Sequence, residues 1–236
     1  MAAGARGEPR TELSQSVEDY VKAIYALARR SAAGVTTNDL AARLGVTPAS
    51  ASSMVKRLAG MGLVDHAPYH GAQLTEVGQR RALAVLRRHR LLELFLAEHL
   101  DVPWDRVHDE AEALEHVLSE DLEQRIATKL GNPTHDPHGD PIPDEDLIID
   151  EGDTASLADL RPGDRGRFAR VSDANPEMLR YLDERGIALG CELEIVDRQP
   201  FGGPITVDVS GTAHALGGRL AQAMRVDLRV ARSGRG

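Results

Sequence analysis

The chain has 236 residues, a formal net charge of −9, 42% apolar residues and a single cysteine, Cys191. That length allows one large domain or two to three small ones with cores of their own, and a lone cysteine excludes a disulfide framework or a cysteine-based zinc site. No apolar run approaches the roughly 18 residues of a membrane span, so a cytoplasmic setting is expected.

Residues 1–12, within MAAGARGEPRTELSQS, lack the apolar h-region of a signal peptide and read as a disordered tail. Residues 16–30 have the spacing of an amphipathic helix, with Val17, Tyr20, Val21, Ile24 and Leu27 on its core face. On that helix Asp19 reads first as an acid suited to the helix dipole. Residues 36–62 form a helix, a short turn and a second helix. Thr37 is expected to cap the first and Gly45 to stop it. Thr47 is expected to cap the second, with Pro48 in its first turn.

That pairing points to a helix-turn-helix, as against an ordinary helical hairpin. Thr47, Pro48, Ala49, Ser50, Ser52 and Ser53 make a small, hydroxylic helix start that lets the backbone approach base edges. Lys56 and Arg57 are suited to phosphates. From Arg43 to Leu58 there are three bases and no acid, so the local field favours DNA although the whole chain is acidic. Arg80, Arg81, Arg87, Arg88 and Arg90 extend the basic run. Residues 63–75 read as a hairpin turning at His70-Gly71, which is the wing of a winged helix; His66 and His70 fall on its surface.

A long basic helix is expected over 76–100, with His89 and Glu93 spaced i, i+4. The most telling stretch is 105–126, DRVHDEAEALEHVLSEDLEQRI. Read as one helix, it puts His108, Glu112, Glu115 and His116 on one face. Val107, Ala111, Leu114, Val117, Leu118, Leu122 and Ile126 form an apolar stripe beside them. Such a helix can dimerise and bind a metal, or it can be a solvated acidic face. Residues 131–150 hold His135, Asp136, His138 and Asp140 among four prolines and read as an ordered linker with little claim to ligands. From 157 to 231 five short strands and one small helix suggest a barrel of the SH3 type. Cys191, at a strand start, reads as buried filler.

The succession of a winged helix-turn-helix, RRHRLLELFL, VHDEAEALEHVLSEDLEQRI, DPHGDPIP and a small barrel resembles the diphtheria-toxin-repressor family of metal-dependent transcriptional regulators. The likeness covers about residues 13–231. It implies a mostly α fold with small β parts: a winged helix-turn-helix DNA-binding domain (13–75), a helical dimerisation and metal domain (76–146), a linker (147–156) and an SH3-like β-barrel (157–231) before a tail (232–236). It implies a homodimer that binds double-stranded operator DNA and represses metal-uptake genes when its divalent ion is plentiful. Carried over residue by residue, the primary site is Asp19, Glu112, Glu115 and His116. The ancillary site is His89, Glu93 and His108, completed by Asp173 or, if the match slides, by Asn175.

Two departures bear on the metal. Iron-responsive members of the family carry methionine and cysteine where Asp19 and Glu112 stand, and manganese-responsive members carry carboxylates. An oxygen-rich set suits Mn²⁺ better than thioether and thiol would, so a manganese-dependent repressor with two ions per subunit is expected, and an iron(II)-dependent one is the alternative. Smaller two-domain manganese regulators hold a second, adjacent ion with a glutamate at the position of Lys22. A charged lysine cannot ligate, which directs the second ion to the His89, Glu93 and His108 site. A carboxylate-bridged metalloenzyme is the rival from another class. It requires repeated Glu-x-x-His motifs on separate helices, and these are missing here, so no enzyme is expected.

Overall fold

A computed structural model describes residues 13–29, 34–67 and 71–228. The expected tails, the hairpin turn at His70 and the end of the last strand at 229–231 lie outside the described residues. The chain forms two compact units that part between Leu86 and Arg87.

In the first unit, α1 (Gln15–Ala28), α2 (Thr37–Leu44) and α3 (Pro48–Gly60) precede an antiparallel hairpin of β1 (Val64–Ala67) and β2 (Gly71–Leu74). The cap of α2 is Thr36, one residue earlier than expected: its hydroxyl accepts from the Asp39 amide at 3.1 Å. Gly45, at φ +64°, ends α2 in the left-handed region where a side chain is costly. Thr47 caps α3 by accepting from the Ser50 amide at 3.2 Å, and Pro48 sits in the first turn. Val17, Val21, Ile24, Leu40, Val55 and Leu58 are fully buried together, each worth about 1.5–3 kcal/mol of transfer free energy.

The helix α4 (Glu76–Leu100) runs out of the first unit into the second. Thr75 starts it, accepting from the Gly78 amide at 3.0 Å while donating to the Gly62 carbonyl at 2.8 Å. Its later arginines do not extend a basic surface. Arg87, Arg88 and Arg90 are buried. Arg87 Nε lies 3.1 Å from Glu123, and Arg90 Nη2 lies 3.2 Å from Asp140. A buried guanidinium must find acceptors, and a sequence-level charge count does not reveal them.

The expected single helix over 105–126 is two. α5 spans Val107–Leu114 and α6 spans Glu120–Lys129. Ser119 causes the break: its hydroxyl accepts from the Leu122 amide at 3.3 Å, and Glu120, Asp121 and Glu123 put acids in the first turn that follows. Val107, Ala111 and Ile126 of the expected stripe are buried, but Val117 is 79% exposed.

The C-terminal part is an antiparallel SH3-like sheet. It has six strands among the described residues, against the five expected: β3 (Ala155–Ser156), β4 (Arg165–Val171), β5 (Glu192–Arg198), β6 (Ile205–Val209), β7 (Thr212–Leu216) and β8 (Met224–Asp227), in the order β3-β8-β4-β5-β6-β7. Five of these lie within 157–231, β3 falls before it in the stretch expected to be linker, and a 3-10 turn occupies 157–159. Phe168, Ile195, Val207, Leu216 and Met224 fill the core with Leu179 and Leu182 of α7 (Pro176–Asp183). A short α8 (Gly218–Ala223) leads into β8. Cys191 is half-buried just before β5, and burial raises its thiol pKa. No helix among the described residues is long and apolar enough to cross a membrane.

Candidate metal centre

Four parts of the second unit converge on one polar cluster. α4 supplies His89 and Glu93 one turn apart. α5 supplies His108 and Glu112 at the same spacing, Asp173 follows the end of β4, and the 131–143 segment brings up Asp136 and His138. His89, Glu93, His108 and Asp173 each offer a ligand atom, and these four atoms lie within 4.8 Å of one another. The expected ancillary set is thus gathered in space. Asp173 Oδ2 is 2.9 Å from His108 Nδ1, while Asn175 accepts from the Glu177 amide and caps α7. Of the two alternatives, Asp173 faces the cluster.

His89 connects this set to the other. Its Nδ1 is 2.5 Å from Glu115 Oε2, and its Nε2 is 3.1 Å from Glu93 Oε1. An ionised carboxylate only accepts, so both His89 nitrogens face acceptors; with Nδ1–H held by Glu115, Nε2 is the nitrogen that could give up its proton and ligate an ion. A carboxylate holding the remote nitrogen of a ligating imidazole is the usual arrangement behind metal-bound histidines. Glu115 is fully buried, and its Oε1 is 3.3 Å from His116 Nε2. Glu112 is exposed, with Oε1 3.9 Å from His108 Nε2. Asp19, the remaining expected primary ligand, lies half-buried on α1 of the first unit.

Asp136 and His138 have little claim as ligands from the sequence, yet both lie beside Glu93. Both are buried, so the 131–150 segment is packed rather than a spacer. His138 Nε2 donates to the Trp104 carbonyl at 2.7 Å. Its Nδ1 has no hydrogen-bond partner and lies 3.8 Å from Glu93 Oε1. Glu93, Asp136 and His138 form a second group whose ligand atoms lie within 4.8 Å of one another. The only signal in the sequence was the alternation of acid and histidine in HDPHGD, masked by its prolines.

The electrostatics suit a cation. Burial alone would raise the Glu93 pKa, but His89, His108 and His138 hold it well below the usual carboxylate range. Burial would likewise lower the His108 pKa; hydrogen bonds to Asp173 and Glu93 outweigh it and push the ring up to about 10. Asp173 is pulled down by His108 against its own burial. Asp136 goes the other way: burial, with Glu93 and Asp140 beside it, raises its pKa well above the normal value. Two imidazoles, two carboxylates and the unpartnered His138 Nδ1 at their edge fit a divalent ion with nitrogen and oxygen preference. No sulfur is among the gathered ligand atoms.

In the first unit, the start of α3 is laid bare. Thr47, Pro48, Ala49 and Ser50 are exposed, as are Ser53, Lys56 and Arg57 one and two turns on, while Ser52 is half-buried. Ala51, Val55 and Leu58 take the opposite, buried face.

Comparison with known proteins agrees with this layout. Residues 12–72 match the iron-dependent repressor N-terminal DNA-binding domain, 75–144 the iron-dependent repressor metal-binding and dimerisation domain, and 155–228 the FeoA domain. The chain is 31% identical over 228 residues to the diphtheria toxin repressor of Corynebacterium efficiens, covering 92% of this chain and 96% of that one. The chain belongs to the diphtheria toxin repressor family. Members of this family are metal-dependent, DNA-binding transcriptional repressors and not enzymes. The iron-dependent repressor IdeR of Mycobacterium tuberculosis is 39% identical over 132 residues, 56% of this chain and 57% of its own. Among solved structures, a manganese-dependent transcriptional repressor in complex with manganese is 46% identical and superposes with a TM-score of 0.85 over 89% of this chain and 98% of that one. The family's names thus include both metals.

Proposed function

We propose that this repressor responds to manganese, acts as a cytoplasmic homodimer on double-stranded operator DNA, and governs metal-uptake genes. The donor chemistry carries this reading. Asp19, Glu112, Glu115 and His116 are proposed as the primary ligands, and His89, Glu93, His108 and Asp173 as the ancillary ones. Neither set contains sulfur, and manganese has the weakest affinity of its row for nitrogen and sulfur donors. The manganese-dependent relative at 46% identity points the same way. IdeR, an iron-dependent repressor at 39% identity over part of the chain, supports iron(II) as the second reading.

The chain's own residues set up the response. Three carboxylates assigned to one site repel one another, and any burial adds to the cost of their charge. When bound, a divalent cation supplies the positive charge that offsets them. Asp19 belongs to the DNA-binding part and Glu112, Glu115 and His116 to the metal-binding part, so shared ligation would bias the dimer toward one spacing of its two α3 helices. The exposed α3 residues Thr47, Pro48, Ala49, Ser50, Ser53, Lys56 and Arg57, together with half-buried Ser52, would contact the DNA. The exposed apolar side chains Leu114, Val117 and Leu122 support a partner on the α5–α6 face. Asp136 and His138, beside Glu93, are further candidates for holding the second ion.

The test is a DNA shift assay on the region upstream of the protein's own gene, run anaerobically in chelator and with Mn²⁺ or Fe²⁺. Binding stimulated by Mn²⁺ is expected. Equal binding in chelator would sink the reading, and stimulation by iron alone would establish the second one.

A further inference from the structure

Asp140 ties α4, β4 and the 131–143 segment together through side chains that belong to neither assigned ligand set. Its Oδ1 receives Arg170 Nε from β4 at 2.8 Å and Arg90 Nη2 from α4 at 3.2 Å. Arg90 also donates to the Pro141 carbonyl and lies 3.6 Å from Asp136. Arg170 spends its Nη1 on Glu151 at 3.2 Å. The side chains of Arg90, Asp140 and Arg170 are 9%, 14% and 21% exposed, so these are screened little by water or salt. The backbone is stitched at the same place: the Val171 amide donates to the His138 carbonyl at 2.9 Å. A Cβ at Gly139 would fall 2.1 Å from the Ala169 carbonyl oxygen, so the two strands of chain approach as closely as only glycine allows.

Asp173 comes three residues after Arg170, just beyond the end of β4. Where β4 is pinned therefore decides where Asp173 sits. We propose that the Arg90–Asp140–Arg170 bridge is a metal-independent clasp that seats the C-terminal sheet on the helical part and holds Asp173 against His108 for the second ion. Arg170 and Asp140 are positioning residues, not ligands. The contacts of the bridge run between residues outside both assigned ligand sets, so they are expected to hold with or without the ion. The positioning role rests on the proposal above that Asp173 is a ligand; the clasp itself does not.

Hydrogen exchange and manganese titration on the full chain test it. In chelator, the amides of Gly139, Asp140 and Val171 in the wild-type protein are expected to exchange about as slowly as with manganese. Asp140→Asn and Arg170→Gln are expected to speed those amides at least tenfold and to weaken the second ion by about ten- to a hundredfold, leaving the first ion's affinity unchanged. Asp140→Asn nearly preserves shape and serves if Arg170→Gln folds poorly. Arg170→Lys, which keeps the charge, is expected to recover part of both effects. Wild-type amides that exchange fast in chelator and slow only with manganese overturn the clasp. If Asp173→Asn weakens the second ion but Arg170→Gln and Asp140→Asn do not, the positioning role is overturned. Unchanged second-ion affinity in Asp173→Asn instead overturns the ligand assignment and the positioning role with it, and the exchange rates then judge the clasp alone.

Discussion

At neutral pH the His108 ring carries a proton, because Asp173 and Glu93 hold its pKa at about 10 against about 6.5 for a free imidazole. The folded value lies above the unfolded one. In the metal-free chain this pairing therefore stabilises the fold fully below roughly pH 6.5, and its contribution is lost as the pH rises through about 10. A ligating imidazole must be neutral, so an ion bound here displaces that proton. Calorimetric manganese titrations near pH 7.5, in two buffers of different ionisation enthalpy, are expected to show about one proton released with the second ion in the wild type. His108→Gln is expected to release none. Heats independent of the buffer in the wild type count against His108 as a ligand. Of the ligand candidates, His89, Glu93 and His108 were legible from i, i+4 spacing and a family signature. Asp136 and His138 were not, because their burial depends on Arg90 and Trp104, which come from elsewhere in the chain.

Elements show the same division. α3 was readable to its cap because Thr47, Pro48 and the small residues after it are local signals. The 105–126 stretch looks continuous in sequence because apolar periodicity persists across Ser119, and only the cap bond to Leu122 shows that the chain restarts there. Gly78 offers a test of what contacts add to local propensity. In α4 an alanine should gain about 1 kcal/mol over glycine by helix propensity. A Cβ at Gly78, however, would lie 1.9 Å from the Leu63 carbonyl oxygen, which is backbone and cannot swing aside. Gly78→Ala is therefore expected to destabilise by about 1–3 kcal/mol, read as a lowered denaturation midpoint. An unchanged or raised midpoint would show that the helix start and the hairpin are less tightly packed than described.

For the whole molecule, the proposed switch depends on a ligand from each unit. Asp19→Ala and Glu112→Ala are each expected to abolish manganese-stimulated DNA binding while sedimentation still shows dimers. A coupling of ~1–3 kcal/mol corresponds to a ~5–150-fold change in operator affinity, so the loss is measurable in a shift assay. Manganese stimulation that survives in both variants would refute the primary site. A dimer lost in either would mean that the residues hold the subunits rather than the ion.

The sequence by itself determined the order of elements, the helix-turn-helix with its exposed hydroxylic start, and the family. Caps, turns and apolar spacing act over a few residues, and the HDEAEALEH string is contiguous. Only the tertiary structure decided that Arg87 and Arg90 face acids rather than solvent, that Asp173 and not Asn175 meets His108, and that His138 brings an unpartnered Nδ1 to within 3.8 Å of Glu93. These are relations between residues tens of positions apart. Burial and charge pairing are properties of the folded neighbourhood, and no local pattern carries them.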